Sequence, residues 1–151
     1  MENNIQLKKA TLADIPTIIS IEQSVSGSKL YSPMLTEGEW LEALKRNTTY
    51  LIEKDGEIVG EISYEFKGPS HAYIDGLAMN PKFQGQGIAR SAMQLVLEEL
   101  KDMDRVDLVT HPLNEKAINL YKSFEFVIES QVENYFGDGE PRVVLAKEKN
   151  K

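Results

Sequence analysis

Ile15, Ile18, Ile19 and Ile21 recur at near-helical spacing behind Thr11-Leu12-Ala13-Asp14, a capping box with Asp in the Glu position, and predict a first helix running to about Ser24. Ahead of it, Ile5-Gln6-Leu7-Lys8 alternates as a strand does; behind it, Ser24 to Pro33 mixes Gly, Ser and Pro and reads as loop. Thr36 with Glu39 caps a second helix carrying Trp40, Leu41 and Leu44. Tyr50 to Glu53 and Glu57 to Tyr64 flank Lys54-Asp55-Gly56, an Asp-Gly turn of the kind that joins antiparallel strands.

A further strand, Ala72 to Met79, leads through Asn80-Pro81 into a glycine-bearing loop and a long helix with Ala89, Met93, Val96, Leu97 and Leu100 on its apolar face, ending near Asp102. Val106 to Val109 is a short strand, Asn114 to Ser123 a helix, and Phe126 to Val132 and Arg142 to Ala146 are strands around a turn-rich Asn134 to Glu140. The order is of about βααββββαβαββ type. It predicts an α/β fold with a mostly antiparallel sheet and one parallel pair where the long helix crosses over.

With 151 residues and no linker or repeat, residues 1–151 read as one domain. Apolar residues at 41% and charged residues at 27% exclude a disordered chain. The apolar stretches are short and Met1-Glu2-Asn3-Asn4 starts no basic-then-apolar leader, so neither signal peptide nor membrane span is legible and a cytoplasmic location is expected. The absence of cysteine removes disulfides, thiolate metal sites and an acyl-cysteine intermediate. His71 and His111 lack metal-ligand spacing, so no metal is expected. A net charge of -7 argues against nonspecific attraction to nucleic acid and suits a cationic amine, although it is also the charge of an ordinary soluble surface. Neither nucleic acid nor membrane is expected as a partner, and the chain is taken as a monomer or homodimer.

Chemistry enters at Gln84-Gly85-Gln86-Gly87-Ile88-Ala89-Arg90. A strand that runs into this loop and then into a helix presents free backbone N–H groups at the positive end of a helix dipole, an anion site. Gly85-x-Gly87 with Asp107 about twenty residues on also starts a dinucleotide fingerprint. That reading fails because Arg90 stands where the third glycine is needed and the loop does not open a βαβ unit.

Gln84, Gly87 and Ala89 are similar to the hallmark of the GNAT superfamily of N-acetyltransferases: Gln or Arg, two residues, Gly, one residue, then Gly or Ala. Tyr73 to Pro81 resembles the family's fourth strand and its exit, and Asn114 to Tyr121 its Asn, Ala and Tyr motif. Glu125 departs from the pattern, standing where the family usually has Gly before the Phe that Phe126 matches. More weakly, Glu133 to Glu140 resembles the tail of the ribosomal-protein and other Nα-acetyltransferases, which hold a peptide N-terminus with a paired aromatic. Tyr135 and Phe136 are therefore acceptor candidates, or equally a pair packed on the sheet.

The resemblance implies a sheet with helices on both faces, a splayed parallel pair and acetyl-CoA as co-substrate. It implies that residues 84–90 bind the pyrophosphate, namely Gln84, Gly85, Gln86, Gly87, Ile88, Ala89 and Arg90, and that the backbone of Leu77, Ala78 and Met79 pairs with the pantetheine arm. Without cysteine the simplest path to an amide is direct attack in a ternary complex. Tyr121 lies about two helical turns beyond Asn114, so both side chains can point into one cleft. Tyr121 is the candidate acid for the departing thiolate; Asn114 binds the cofactor arm or caps its helix. Asp75 is the first candidate base, with Glu61, Glu65 and His111 as alternatives. The function expected is N-acetylation of a primary amine, with peptide N-termini favoured because an α-amine titrates near 8 and lysine near 10.4. A noncatalytic acyl-CoA sensor, which would not need Tyr121, or an acetyltransferase of small amines is the alternative.

Overall fold

Strands β1 (Ile5–Lys9), β2 (Thr48–Lys54), β3 (Glu57–Gly68), β4 (His71–Met79), β5 (Arg105–Thr110), β6 (Val127–Val132) and β7 (Arg142–Glu148) form one sheet in the order β1-β2-β3-β4-β5-β7-β6. Helices α1 (Ile15–Ser24), α2 (Glu37–Arg46), α3 (Ile88–Glu99) and α4 (Glu115–Ser123) fill the connections. The computed structural model describes residues 4–149, so the two ends of the expected 1–151 domain lie outside the described residues. Neighbouring strands are antiparallel throughout except for β4 and β5.

Between α2 and α3 there are three strands, not four. The difference lies in β3, which continues through Phe66, Lys67 and Gly68 and turns at Pro69-Ser70 directly into β4. Helix α3 also stops a turn short of Asp102, at Glu99, where the Leu100 N–H closes the last helical bond to the Val96 carbonyl at 3.0 Å. The Asp55-Gly56 hairpin forms as expected, with φ of 51° and 86° at its two central residues, the left-handed pair that matches strand twist.

Adjacent residues of β2 show how the layers are built. Leu51 points to one face and packs with Ile15, Ile18, Trp40 and Ala43 of α1 and α2; Ile52 points to the other and joins Ile88, Ala92, Met93 and Val96 of α3. The period of two along the strand therefore serves two helical layers at once. Each of these fully buried side chains contributes about 1.5–3 kcal/mol relative to exposure. Tyr50 and Tyr64 both donate to Glu99 Oε1, at 2.8 and 3.0 Å, and pin the last turn of α3 to the sheet.

Glu125 occupies the turn between α4 and β6 at φ 74°, in the left-handed region that favours glycine. The turn survives the departure: Phe126 is buried at 2% exposure beside Tyr121, and Lys147 meets the Glu125 carboxylate at 3.4 Å on the surface. An exposed pair of that kind contributes little, whereas a left-handed L-residue costs about 1–2 kcal/mol. Part of that is offset by the greater unfolded-chain freedom of glycine, about 0.5–1 kcal/mol. Glu125→Gly should therefore raise the thermal midpoint by about 1–4 °C in scanning calorimetry.

Candidate active site

β4 and β5 stay paired only from His71/Arg105 to Ile74/Leu108. Beyond Leu108, β5 follows β7 to Thr110, while β4 continues from Asp75 to Met79 along β3. The wedge that opens is a cleft of about 870 Å³. Of the residues singled out in the sequence, Asp75, Leu77, Ala78, Met79, Gln84, Gly85, Gly87, Ile88, Ala89, Arg90, Asn114, Tyr121 and Phe136 line it. Gln86 and Tyr135 are not among its walls. The Gln86 carbonyl oxygen accepts from Lys54 Nζ at 2.8 Å and its amide donates to the Lys82 carbonyl at 3.4 Å, which turns the side chain toward the end of β2.

At one end of the cleft stands the start of α3. Gly87 is its N-cap at φ 77°, a conformation that L side chains rarely adopt, and it brings no side-chain cap. The first intrahelical bond is from the Ser91 N–H to the Gly87 carbonyl at 3.1 Å, so the N–H groups of Ile88, Ala89 and Arg90 precede the helix ladder. These donors, with the dipole behind them, fit a diphosphate. The Gln84 amide donates to the Met79 carbonyl at 3.2 Å and couples the loop to the strand before it. The Arg90 guanidinium turns aside, donating to Ser123 Oγ at 2.9 Å and lying 5.5 Å from the Phe124 ring centre.

Tyr121 projects from α4, 7% exposed, with its ring tilted on Phe126 at 6.1 Å. Burial, and next the phenol of Tyr31, push its pKa well up, so it holds its proton at neutral pH. Tyr31 comes from the loop between α1 and α2 and lies beside Asn114 on the cleft wall. The Asn114 side chain also accepts from the Ala117 N–H at 3.3 Å and so caps α4.

Carboxyl groups occupy the floor. Gly76 pairs with Ser63 and Ile74 with Tyr64, which leaves Asp75 as the extra residue of a β-bulge. The bulge re-aims its side chain into the cleft. There Asp75 accepts from Asn47 and from the Ser63 hydroxyl. Its surface is exposed because it opens onto the cleft, yet desolvation by the surrounding protein raises its pKa from the ordinary aspartate value, with the Ser63 hydrogen bond opposing. Glu61, on β3 in register with Ala78, is 3% exposed and Glu22 on α1 is 8% exposed. Burial first, then the charge and hydrogen bond of Glu22, hold Glu61 well above the carboxylate range.

Two of the alternative bases are engaged by partners. Glu65 is held by Lys67 and, at 3.7 Å, by Arg46. His111 is 1% exposed; its Nδ1 accepts from the Leu113 N–H at 3.1 Å and its Nε2 meets Glu140 at 2.7 Å, which ties the start of α4 to the final hairpin. In that hairpin Phe136 stacks edge-on against Tyr135 at 4.8 Å and lies over the buried Arg142 at 5.2 Å. Arg142 in turn donates to Asp138 at 3.0 Å. Tyr135 sits behind, beside Tyr73.

Sequence reasoning missed Tyr31, Asn47, Ser63 and Glu22. Only Glu22 carried a usable signal, because it falls on the same stripe as Ile15 and Ile18 at spacings of seven and four, where a carboxyl is out of place. Among the described residues no group of three or more His, Cys, Asp or Glu is disposed to hold a metal ion, and no helix is long and apolar enough to cross a membrane.

The fold and site define a mixed α/β protein whose cleft offers orphan backbone donors at one end and carboxyls at the other. More particularly, residues 16–126 match the acetyltransferase (GNAT) family, and the chain belongs to that family. The N-alpha-acetyltransferase of Sulfolobus acidocaldarius is 29% identical over 159 aligned residues, covering 95% of this chain and 92% of that one. The ribosomal-protein-S18-alanine N-acetyltransferase from Escherichia coli superposes with a TM-score of 0.82 at 20% identity, over 95% of this chain and 93% of that one. A GNAT family acetyltransferase from Elizabethkingia anophelis with acetyl-CoA bound gives 0.79 at 20% identity, over 98% and 100%. Acetyl-CoA-dependent N-acetyl transfer is the activity of the family.

A carboxyl whose folded pKa is raised contributes stability that is full below its ordinary value, 4.5 for Glu61, and is lost as pH rises through the folded value. Gln does not titrate. Glu61→Gln should therefore gain thermal stability over the wild type as pH rises from about 4.5 toward 8, a widening gap that unfolding curves at several pH values will show.

Proposed function

We propose that the whole chain works as one acetyltransferase domain that passes the acetyl group of acetyl-CoA to the α-amine of a peptide or protein N-terminus by direct attack in a ternary complex. The observation that carries this reading is the splayed edge of β4, which opens between the orphan N–H groups of α3 and the phenol of Tyr121. The N-alpha-acetyltransferase named above, similar along nearly its whole length, supports the acceptor class. The acidic, cysteine-free composition supports a cytoplasmic setting.

The start of α3, with Gln84 to Arg90, receives the pyrophosphate, and the free edge at Leu77 to Met79 pairs with the pantetheine arm, one N–H facing the thioester carbonyl. Asp75, fixed by Asn47 and Ser63, takes the ammonium proton through water and leaves a neutral amine. The amine nitrogen bonds to the carbonyl carbon; as the C–S bond breaks, the electron pair goes to sulfur and Tyr121 supplies its proton. The amide nitrogen's surplus proton restores the phenol through solvent. Phe136, on the cleft wall and backed by Tyr135, lies against the first residues of the acceptor.

A panel of free-N-terminal peptides, polyamines and amino acids, with released thiol as the readout, tests the acceptor class; a preference for polyamines would overturn it. Gly87→Ala should cost about 1–2 kcal/mol of stability through its positive φ and weaken acetyl-CoA by about 10-fold or more in calorimetry, since the added methyl crowds the N–H cradle. Unchanged affinity would remove this loop from the cofactor site. Tyr121→Phe keeps the ring on Phe126, so folding and cofactor affinity should hold while kcat falls by about 100-fold or more. Full kcat with chemistry rate-limiting would assign the proton to water.

A further inference from the structure

Glu61 has no part in the steps above, yet it is a buried carboxyl on the cleft wall whose Oε2 has no hydrogen-bond partner. Leaving such a group unsatisfied is costly, more so if it is charged. Glu22 closes off its other side: one Glu22 oxygen is already committed to the Met34 N–H at 2.8 Å, and its carboxyl meets that of Glu61 across the gap between α1 and β3. Glu61 lines the cleft together with two further acids, Glu22 and Asp75. Arg46, a cation on the cleft wall, is placed on Glu65 at 3.7 Å and near Asp75.

We propose that Glu61 Oε2, backed by Glu22, is the seat of the acceptor's ammonium group before transfer. This rests on the reading of the cleft as an amine acetyltransferase site and assigns the acceptor as one that arrives as a cation. Register places Glu61 directly across from Ala78, beside the stretch of β4 assigned to the thioester arm, so an amine held there lies next to the acetyl group. The ammonium is a multiple donor and supplies the missing partner for Oε2; its charge ionises Glu61, whose proton leaves to solvent. Asp75, on the neighbouring bulge, then takes the ammonium proton. Glu61 in this role is a positioning residue, and its loss should appear in acceptor binding more than in the chemical step.

The test uses the full chain saturated with coenzyme A, titrated in a calorimeter with a free-N-terminal tetrapeptide and with its des-amino counterpart. The wild type should favour the amine by about 10-fold or more, and Glu61→Gln should lose that preference while binding acetyl-CoA as before. Glu61→Asp should recover part of it, and in turnover Glu61→Gln should raise the peptide KM with a much smaller change in kcat. A preference retained in folded Glu61→Gln would overturn the assignment and leave the ammonium to Asp75. Wild-type protein that binds acetyl-CoA but acetylates no amine would overturn instead the reading beneath it, and the binding comparison would still decide whether Glu61 holds a cation.

Discussion

Everything in the site depends on β4 parting from β5 after Ile74. A parallel pair that stayed zipped to the ends of its strands would satisfy its own peptide groups and leave no cleft. The parting leaves the stretch from Asp75 to Met79 with β3 on one side only, and buried backbone groups without partners are costly. An amide-bearing ligand laid along that edge acts as the missing strand. Because such a ligand binds the folded form alone, it also returns stability to the region that the splay weakens.

The two ends of the cleft carry opposite electrostatics, and they do so by different means. The chain as a whole is acidic, with a net charge of -7, so an anionic donor is not drawn in by the field of the protein. In the proposed site its phosphates meet backbone dipoles at the start of α3, which act at close range and need no cationic side chain; Arg90 is occupied with Ser123 and Phe124. The other end carries carboxyl groups, with Asp75, Glu61 and Glu22 grouped where α1 meets β3 and β4. In the proposed site, dipoles for the anion and carboxyls for the cation keep the two substrates from exchanging places.

Periodicity made the elements legible because each strand or helix buries one face against a known layer. Leu51 and Ile52, or Ile15 and Ile18, could be read without knowing their partners. The donor loop was legible for a related reason: glycines before a helix start are a local device, and Gly87 at φ 77° is that device. What escaped was built from long-range register. Asp75 was chosen from its place in a strand, but the bulge that aims it exists only because β3 and β4 slip by one residue at Ser63/Tyr64. Ser63, Asn47 and Tyr31 became part of the site through that register and through the course of the loop before α2, neither of which has a periodic signature. Glu125 is the reverse case, a residue whose side chain argues against a turn that the packing of Phe126 nevertheless imposes.

The loop from Val25 to Thr36 links the chemistry at the two ends. Met34 is held at both backbone groups: its N–H by Glu22 at 2.8 Å, and its carbonyl by Trp40 Nε1 at 3.0 Å. Three residues upstream, Tyr31 reaches Asn114 and raises the pKa of Tyr121 further. A phenol held so far from neutrality is a weak acid toward a free thiolate, so a proton placed there moves only as negative charge develops on sulfur, in step with C–S cleavage. Glu22 thus stands behind Glu61 and also anchors, through Met34, the loop that carries Tyr31.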